Sequence, residues 1–216
     1  RIQADSITAT PPAGLAGNDL AKWYFQTGYK NGPLFSYAPN SDVIHCPGDI
    51  RTSISGHFCW ASYSGVGGFI GGDAALDSHM GLITKQTQVM HPSERFLWVE
   101  ECSSQQKTAF GQTFGEADGG WDMHPGGPDI GPSPFFTASW IDSPAAFHGA
   151  NSTFAFVDGH AEPHKWLSSY VIAFANSMNT SKYPNTPPGT EAANANANGK
   201  LDLYYVASHF PTTINP

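Results

Sequence analysis

The apolar positions of this chain come in short bursts separated by long stretches rich in glycine, proline, asparagine and serine. The first burst follows Asn18, a residue suited to an N-cap. Leu20, Ala21, Tyr24 and Phe25 recur at helical spacing and Gly28 ends the segment, which predicts a helix. Ahead of it, residues 1–17 are small and polar with a break at Pro11-Pro12; after it the chain reads as loop to Val43-Ile44-His45-Cys46, and Pro47-Gly48-Asp49 is a turn signal. Strand candidates follow at 57–66, 95–101, 151–157 and 160–166, the first two aromatic and β-branched in the way strands prefer. The last two are joined by Asp158-Gly159, which predicts a tight hairpin with positive φ at both turn positions. Pro163, lacking an N–H, assigns the final run to a sheet edge. Trp166, Leu167, Tyr170, Val171, Phe174 and Ala175 line one face of a predicted helix, 184–200 is low-complexity loop, and 201–206 is a further strand candidate.

This pattern predicts one α+β domain, a helix against a small antiparallel sheet with long Gly/Pro-rich loop insertions and a C-terminal helix. Helix and loop occupy 1–42, the sheet core 43–165 with an insertion at 102–147, and the C-terminal helix and extension 166–216.

Composition narrows the function. The 216 residues are only 13% charged, and 10 Lys+Arg against 18 Asp+Glu leave a net charge of -8. No basic run is present to neutralise phosphates, which excludes nucleic-acid binding and disfavours an anionic membrane surface. No apolar run reaches the roughly 18 residues that a membrane helix needs. Sparse charge and abundant small polar residues point to an envelope or secreted protein. The three cysteines, Cys46, Cys59 and Cys102, show no C-x-x-C spacing. A Cys46–Cys59 bridge closing a short loop and three buried free thiols both fit.

Several catalytic signatures are missing. Ile70 occupies the third glycine position of G-x-G-x-x-G, and neither G-x-S-x-G nor H-E-x-x-H occurs. His160 and His164, on a strand, would lie about 13 Å apart, too far to share one zinc ion. Glu116, Asp118, Asp122 and Asp129 form a weak calcium candidate in a glycine-rich loop, alongside the simpler reading of a solvated acidic loop. Trp60 and Trp98 read as core, whereas Trp121 and Trp140, in the insertion, are freer to form a sugar-stacking platform.

The most specific pattern is His148 followed by nine residues and then Asp158-Gly159. It resembles the H-X9-DG motif of a bacterial family of prepilin-processing-associated, pseudopilin-like proteins. Cys46-Pro47-Gly48-Asp49 resembles the family's C-P-x-D turn and Ser62-Tyr63 its S-Y strand. Ile83-Thr84 through Pro92-Ser93 to Glu100 resembles its I-T…P-S-x-x-hydrophobic-E segment, and Phe156-Val157-Asp158-Gly159-His160 its F-x-D-G-H ending. The resemblance spans residues 43–165. It implies a pilin-like fold and a non-enzymatic subunit of a type II secretion pseudopilus or type IV pilus-like assembly, needing no cofactor and partnered by other pilin subunits. It also implies a leader and an apolar helix of about 20 residues that anchors the subunit in the inner membrane, so that the head faces the periplasm or exterior and Arg1 lies just beyond that helix. Within the motif, Asp158-Gly159 sets the hairpin and His148 is expected to bond the Asp158 carboxylate or a turn carbonyl as a structural clamp. The alternatives are a secreted carbohydrate- or calcium-binding domain on the same scaffold and, more remotely, a metal-dependent hydrolase using His148 and Asp158.

Overall fold

Leu20, Ala21, Tyr24, Phe25 and Tyr29 return to one side of a 3.6-residue period and are buried together along α1 (Gly17–Asn31). In the computed structural model of the protein, which describes residues 7–53, 58–69, 83–102, 105–109, 112–116, 120–125, 138–140, 142–176 and 197–211, this helix runs past Gly28. Tyr29 is the reason: it is buried and its hydroxyl donates to the Ala38 carbonyl (2.9 Å), so the chain stays helical until Gly32. Asn18 is not the cap, and its side chain instead donates to the Thr52 carbonyl at 2.6 Å. The helix packs on Ile44, Ala61 and half-buried Trp60, just ahead of the sheet.

The strands are β1 (Tyr63–Val66), β2 (Phe96–Glu100), β3 (Gln105–Ala109), β4 (Gln112–Glu116), β5 (Gly120–Trp121), β6 (Met123–Pro125), β7 (Ala138–Trp140), β8 (Asn151–Phe156) and β9 (Ala161–Lys165). Five of them form one sheet in the order β5-β1-β2-β8-β9. It is mixed rather than wholly antiparallel, because β5 pairs parallel to β1. The insertion 102–147 is thus not only loop: it supplies β5, the β3–β4 hairpin and the β6–β7 pair. Pro163 lies on the edge strand β9 opposite Thr153, where its missing N–H costs no ladder bond on the outer side.

Alternation along β8 turns Ser152, Phe154 and Phe156 inward. They meet Phe96, Val99, Trp121, Met123, Trp140 and Trp166 in the main core, which α2 (Ser169–Ala175) and α3 (Ala197–His209) cover. The strand expected at 201–206 is therefore part of a helix. Leu203, Val206, Ala207 and Phe210 repeat every three to four residues and reach the core together, which a two-residue period could not achieve. Asp202, on the same helix, is fully buried and accepts the N–H groups of Leu167 and Ser168 (2.8 Å for Ser168), just ahead of α2. The α2 helix consequently starts at Ser169, after Trp166 and Leu167. Among the described residues no helix is long and apolar enough to cross a membrane.

The β8–β9 hairpin closes differently from expectation. Gly159 donates to the Phe156 carbonyl (3.0 Å) and Phe156 to that of His160 (2.9 Å), a three-residue loop in which Gly159 alone takes positive φ, at 98°. Asp158 stays in an ordinary conformation and uses its carboxylate to accept from the His160 backbone (3.1 Å) and ring (2.6 Å). Nothing lies within 4 Å of a Cβ built on Gly159, so Gly159→Ala should cost only backbone strain, about 1–2 kcal/mol in urea unfolding. A loss under half of that would remove the turn from the account of the hairpin.

Candidate functional site

The segments that carry the family resemblance are spread over a hundred residues of sequence, and three of them meet at one corner of the sheet. The first is the turn at Cys46-Pro47-Gly48-Asp49, closed by the Asp49 N–H on the Cys46 carbonyl at 2.9 Å. Proline at the second position suits the fixed φ of such a turn. Asp49 anchors it. One carboxylate oxygen accepts from the Arg51 backbone N–H and Nε (both 3.0 Å); the other accepts from Arg51 Nη2 (2.6 Å) and the Ser62 hydroxyl (2.7 Å). Arg51 Nη2 also donates to the Ala61 carbonyl, and Ser62 Oγ accepts the Cys46 N–H at 3.0 Å. Burial by itself would raise the Asp49 carboxyl, but the Arg51 hydrogen bonds and charge, with the Ser62 hydroxyl, outweigh it and hold the group below the usual aspartate range.

The second contribution is Glu100, at the end of β2 opposite Tyr63 and fully buried. Its Oε2 accepts the Thr153 N–H at 2.7 Å. The third is His148, in the loop that leads into β8, whose carbonyl accepts from the Asn151 side chain. His148 Nε2 lies 3.1 Å from Glu100 Oε1 and 3.3 Å from Cys46 Sγ, with its side chain still half exposed. Gly48 donates its N–H to the same sulfur at 3.3 Å, and the Tyr63 hydroxyl also hydrogen-bonds it. A Cβ on Gly48 would stand 3.0 Å from His148 Cε1, so a larger residue at this turn position would push the imidazole by a few tenths of an ångström.

A Cys-His-Glu set invites comparison with a nucleophile triad, but the geometry is wrong for one. A triad imidazole takes the nucleophile on one ring nitrogen and is oriented by the acid through the other. Here both Cys46 and Glu100 face Nε2. The thiol is not activated either: burial pushes it up to about 11, the Gly48 N–H opposes this, and the Glu100 carboxylate adds to the rise. Burial likewise raises Cys59 to about 12, despite nearby Arg51. All three cysteines are free and buried, so the Cys46–Cys59 bridge is not formed; the Cys46 sulfur is turned into the cluster instead.

The expected contact between His148 and Asp158 is also absent. The two residues flank opposite ends of the six-residue β8, a span of about 20 Å, and each has another partner, Glu100 for His148 and His160 for Asp158. This geometry removes both the clamp and a hydrolytic His148–Asp158 pair. His160 stacks on Phe156 (4.3 Å between ring centroids), and His164 stacks on Tyr205 at 3.6 Å.

The tryptophans exchange roles. Trp121 and Trp140, expected to face a sugar, are buried in the core with ring centroids 6.5 Å apart. Trp60, expected in the core, is half-buried, stacks on His45 at 4.0 Å and carries Lys22 Nζ above its ring. Of the calcium candidates, Asp118 and Asp129 lie outside the described residues, and Glu116 is placed in β4. Asp122 is buried, with its N–H donating to Asp142 Oδ2 at 2.8 Å. Among the described residues, the one group of three His, Cys, Asp or Glu whose donor atoms all lie within 4.8 Å of one another is Cys46, Glu100 and His148.

Sequence reasoning did not assign roles to Glu100, Arg51 or Ser62. A usable signal was present for two of them: Glu100 ends an otherwise apolar strand, and Arg51 is one of only 10 basic residues, set two positions after Asp49. Burying such groups is costly unless they are paired. No protein-family model, curated protein or solved structure matches the chain.

Proposed function

We propose that this chain is the globular head of a pseudopilin or type IV pilin-like protein, a non-enzymatic subunit of an envelope secretion or pilus-like assembly. In this reading it adopts a pilin-like variant of the α+β fold, faces the periplasm or exterior, and assembles with other pilin-type subunits through an apolar N-terminal helix ahead of this sequence. One observation carries the reading beyond the motifs themselves. Cys46, Asp49, Ser62, Glu100 and His148 tie a turn, two strands and a loop into one hydrogen-bonded corner, which supports a structural role for the motif residues. The alternative of a carbohydrate-binding module loses its platform with the burial of Trp121 and Trp140.

The gene sequence upstream of the Arg1 codon tests the reading directly. A prepilin-peptidase site followed by about 20 apolar residues is the expected finding. A reading frame that starts without such a segment would sink the assembly mechanism. In cells, site-specific crosslinking from the head should capture a second pilin-type subunit in the envelope fraction, and recovery of the protein only as a cytoplasmic monomer counts against it.

A further inference from the structure

The geometry points to a zinc-type divalent metal site at Cys46 Sγ, Glu100 Oε1 and His148 Nε2, with the fourth position open to solvent on the His148 side. Three observations support it, and they are independent of the assembly role. First, the three donor atoms come from separate segments yet lie within 4.8 Å of one another. The separations, 3.3 Å from sulfur to nitrogen and 3.1 Å from nitrogen to oxygen, are within a few tenths of an ångström of the roughly 3.5 and 3.4 Å that tetrahedral zinc imposes on such ligands.

Second, the three groups already converge on one carboxylate. The Cys46 thiol hydrogen-bonds Glu100, and His148 Nε2 lies 3.1 Å from Glu100 Oε1. A cation at the centre would take the place of the shared protons, bond all three donor atoms at once and give the fully buried carboxylate a counter-charge.

Third, the surroundings suit a metal-bound sulfur. The Gly48 N–H at 3.3 Å and the Tyr63 hydroxyl are directed at Cys46 Sγ, and Glu100 Oε2 is held by the Thr153 N–H, so two of the three ligands are oriented by neighbouring groups. A sulfur, imidazole and carboxylate set selects zinc or a similar transition metal over calcium or magnesium, which take oxygen ligands. Binding breaks the Cys46 S–H bond; the sulfur keeps the electron pair for the metal and the proton passes to solvent.

The test uses the whole 216-residue chain, stripped with EDTA and titrated with zinc chloride and, separately, with cobalt(II) chloride. One zinc per chain should bind, and the cobalt complex should show a thiolate-to-cobalt charge-transfer band together with the strong visible bands of a four-coordinate ion. His148→Ala, at a half-exposed position, should fold as the metal-free wild type does by near-ultraviolet circular dichroism and weaken zinc at least about tenfold. Cys46→Ser should abolish the charge-transfer band. Should Cys46→Ser fail to fold, the cobalt spectrum of the wild type and the affinity of His148→Ala decide the matter. Absence of zinc binding, a cobalt spectrum without charge transfer, or unchanged zinc affinity in His148→Ala would each overturn the assignment, the last by placing the ion elsewhere.

Discussion

Asp49→Ala is expected to lower the unfolding free energy by about 3–5 kcal/mol, enough to leave a domain of ordinary stability partly unfolded at 37 °C. The loss comes less from the missing attraction than from what remains. Arg51, 1% exposed, would keep its charge without the carboxylate that faces it, while the Ser62 hydroxyl would lose Asp49 as its acceptor. Replacing both members of the pair, as Asp49→Ala with Arg51→Met, should recover much of the loss, because no uncompensated charge is then buried. Urea unfolding of the single and double variants at pH 7 measures the difference. A double variant no better than the single one would show that the turn, and not the charge pair, holds this corner.

The same pair predicts a pH dependence. The Asp49 carboxyl titrates lower in the folded protein than in the unfolded chain, so the folded state binds fewer protons there as the medium becomes acidic. Its contribution is therefore complete above the unfolded value of about 3.9 and is lost as pH falls through the lower, folded value. Wild type should lose stability more steeply than Asp49→Asn over that acid range, and parallel curves for the two would contradict the coupling.

Phe154→Ala should be the other severe substitution, again at about 3–5 kcal/mol. Phe154 is fully buried on the central part of β8, stacked on Phe96 with centroids 4.4 Å apart and edge-on to Trp166 at 6.0 Å and Tyr205 at 5.8 Å. Truncation removes aromatic contact with β2, with the segment entering α2 and with α3 simultaneously, leaving a cavity that three different elements would have to collapse to fill. Phe154→Leu retains much of the volume and should cost less than half as much. If the two variants were equally destabilised, the loss would lie in the ring geometry and not in the volume removed.

Both predictions act on the scaffold that places the Cys46–Glu100–His148 cluster, though at different distances from it. Asp49 lies three residues from Cys46 and shares the Ser62 hydroxyl with the Cys46 N–H, so its loss should also loosen the sulfur. Phe154 lies one residue beyond Thr153, whose N–H holds Glu100. Metal affinity measured on a refolded Phe154→Leu chain should therefore change less than in Asp49→Asn.

Local chemistry was legible from the chain alone wherever a short-range pattern is unambiguous. The helical period at Leu20–Phe25, the strands around Phe96 and Phe154, the hairpin at Asp158-Gly159 and the edge position of Pro163 depend on side-chain spacing, positive φ and a missing N–H, all properties of neighbouring residues. The corner at Cys46 was legible only as a set of motif fragments, because each fragment carries a residue whose partner is far along the chain: 54 residues separate Cys46 from Glu100 and 102 separate it from His148. Local pattern also misassigned 201–206, where Leu201, Leu203 and Val206 read equally well as strand or helix until the core made contact with one face. Trp121 and Trp140 reversed roles for the same reason, since glycine-rich flanks describe the backbone's freedom and not what the rings will cover. Which charges become buried, which sulfur meets which imidazole and which face of the sheet the last helix closes are decided by burial of non-local surface, a term that no window of neighbouring residues contains.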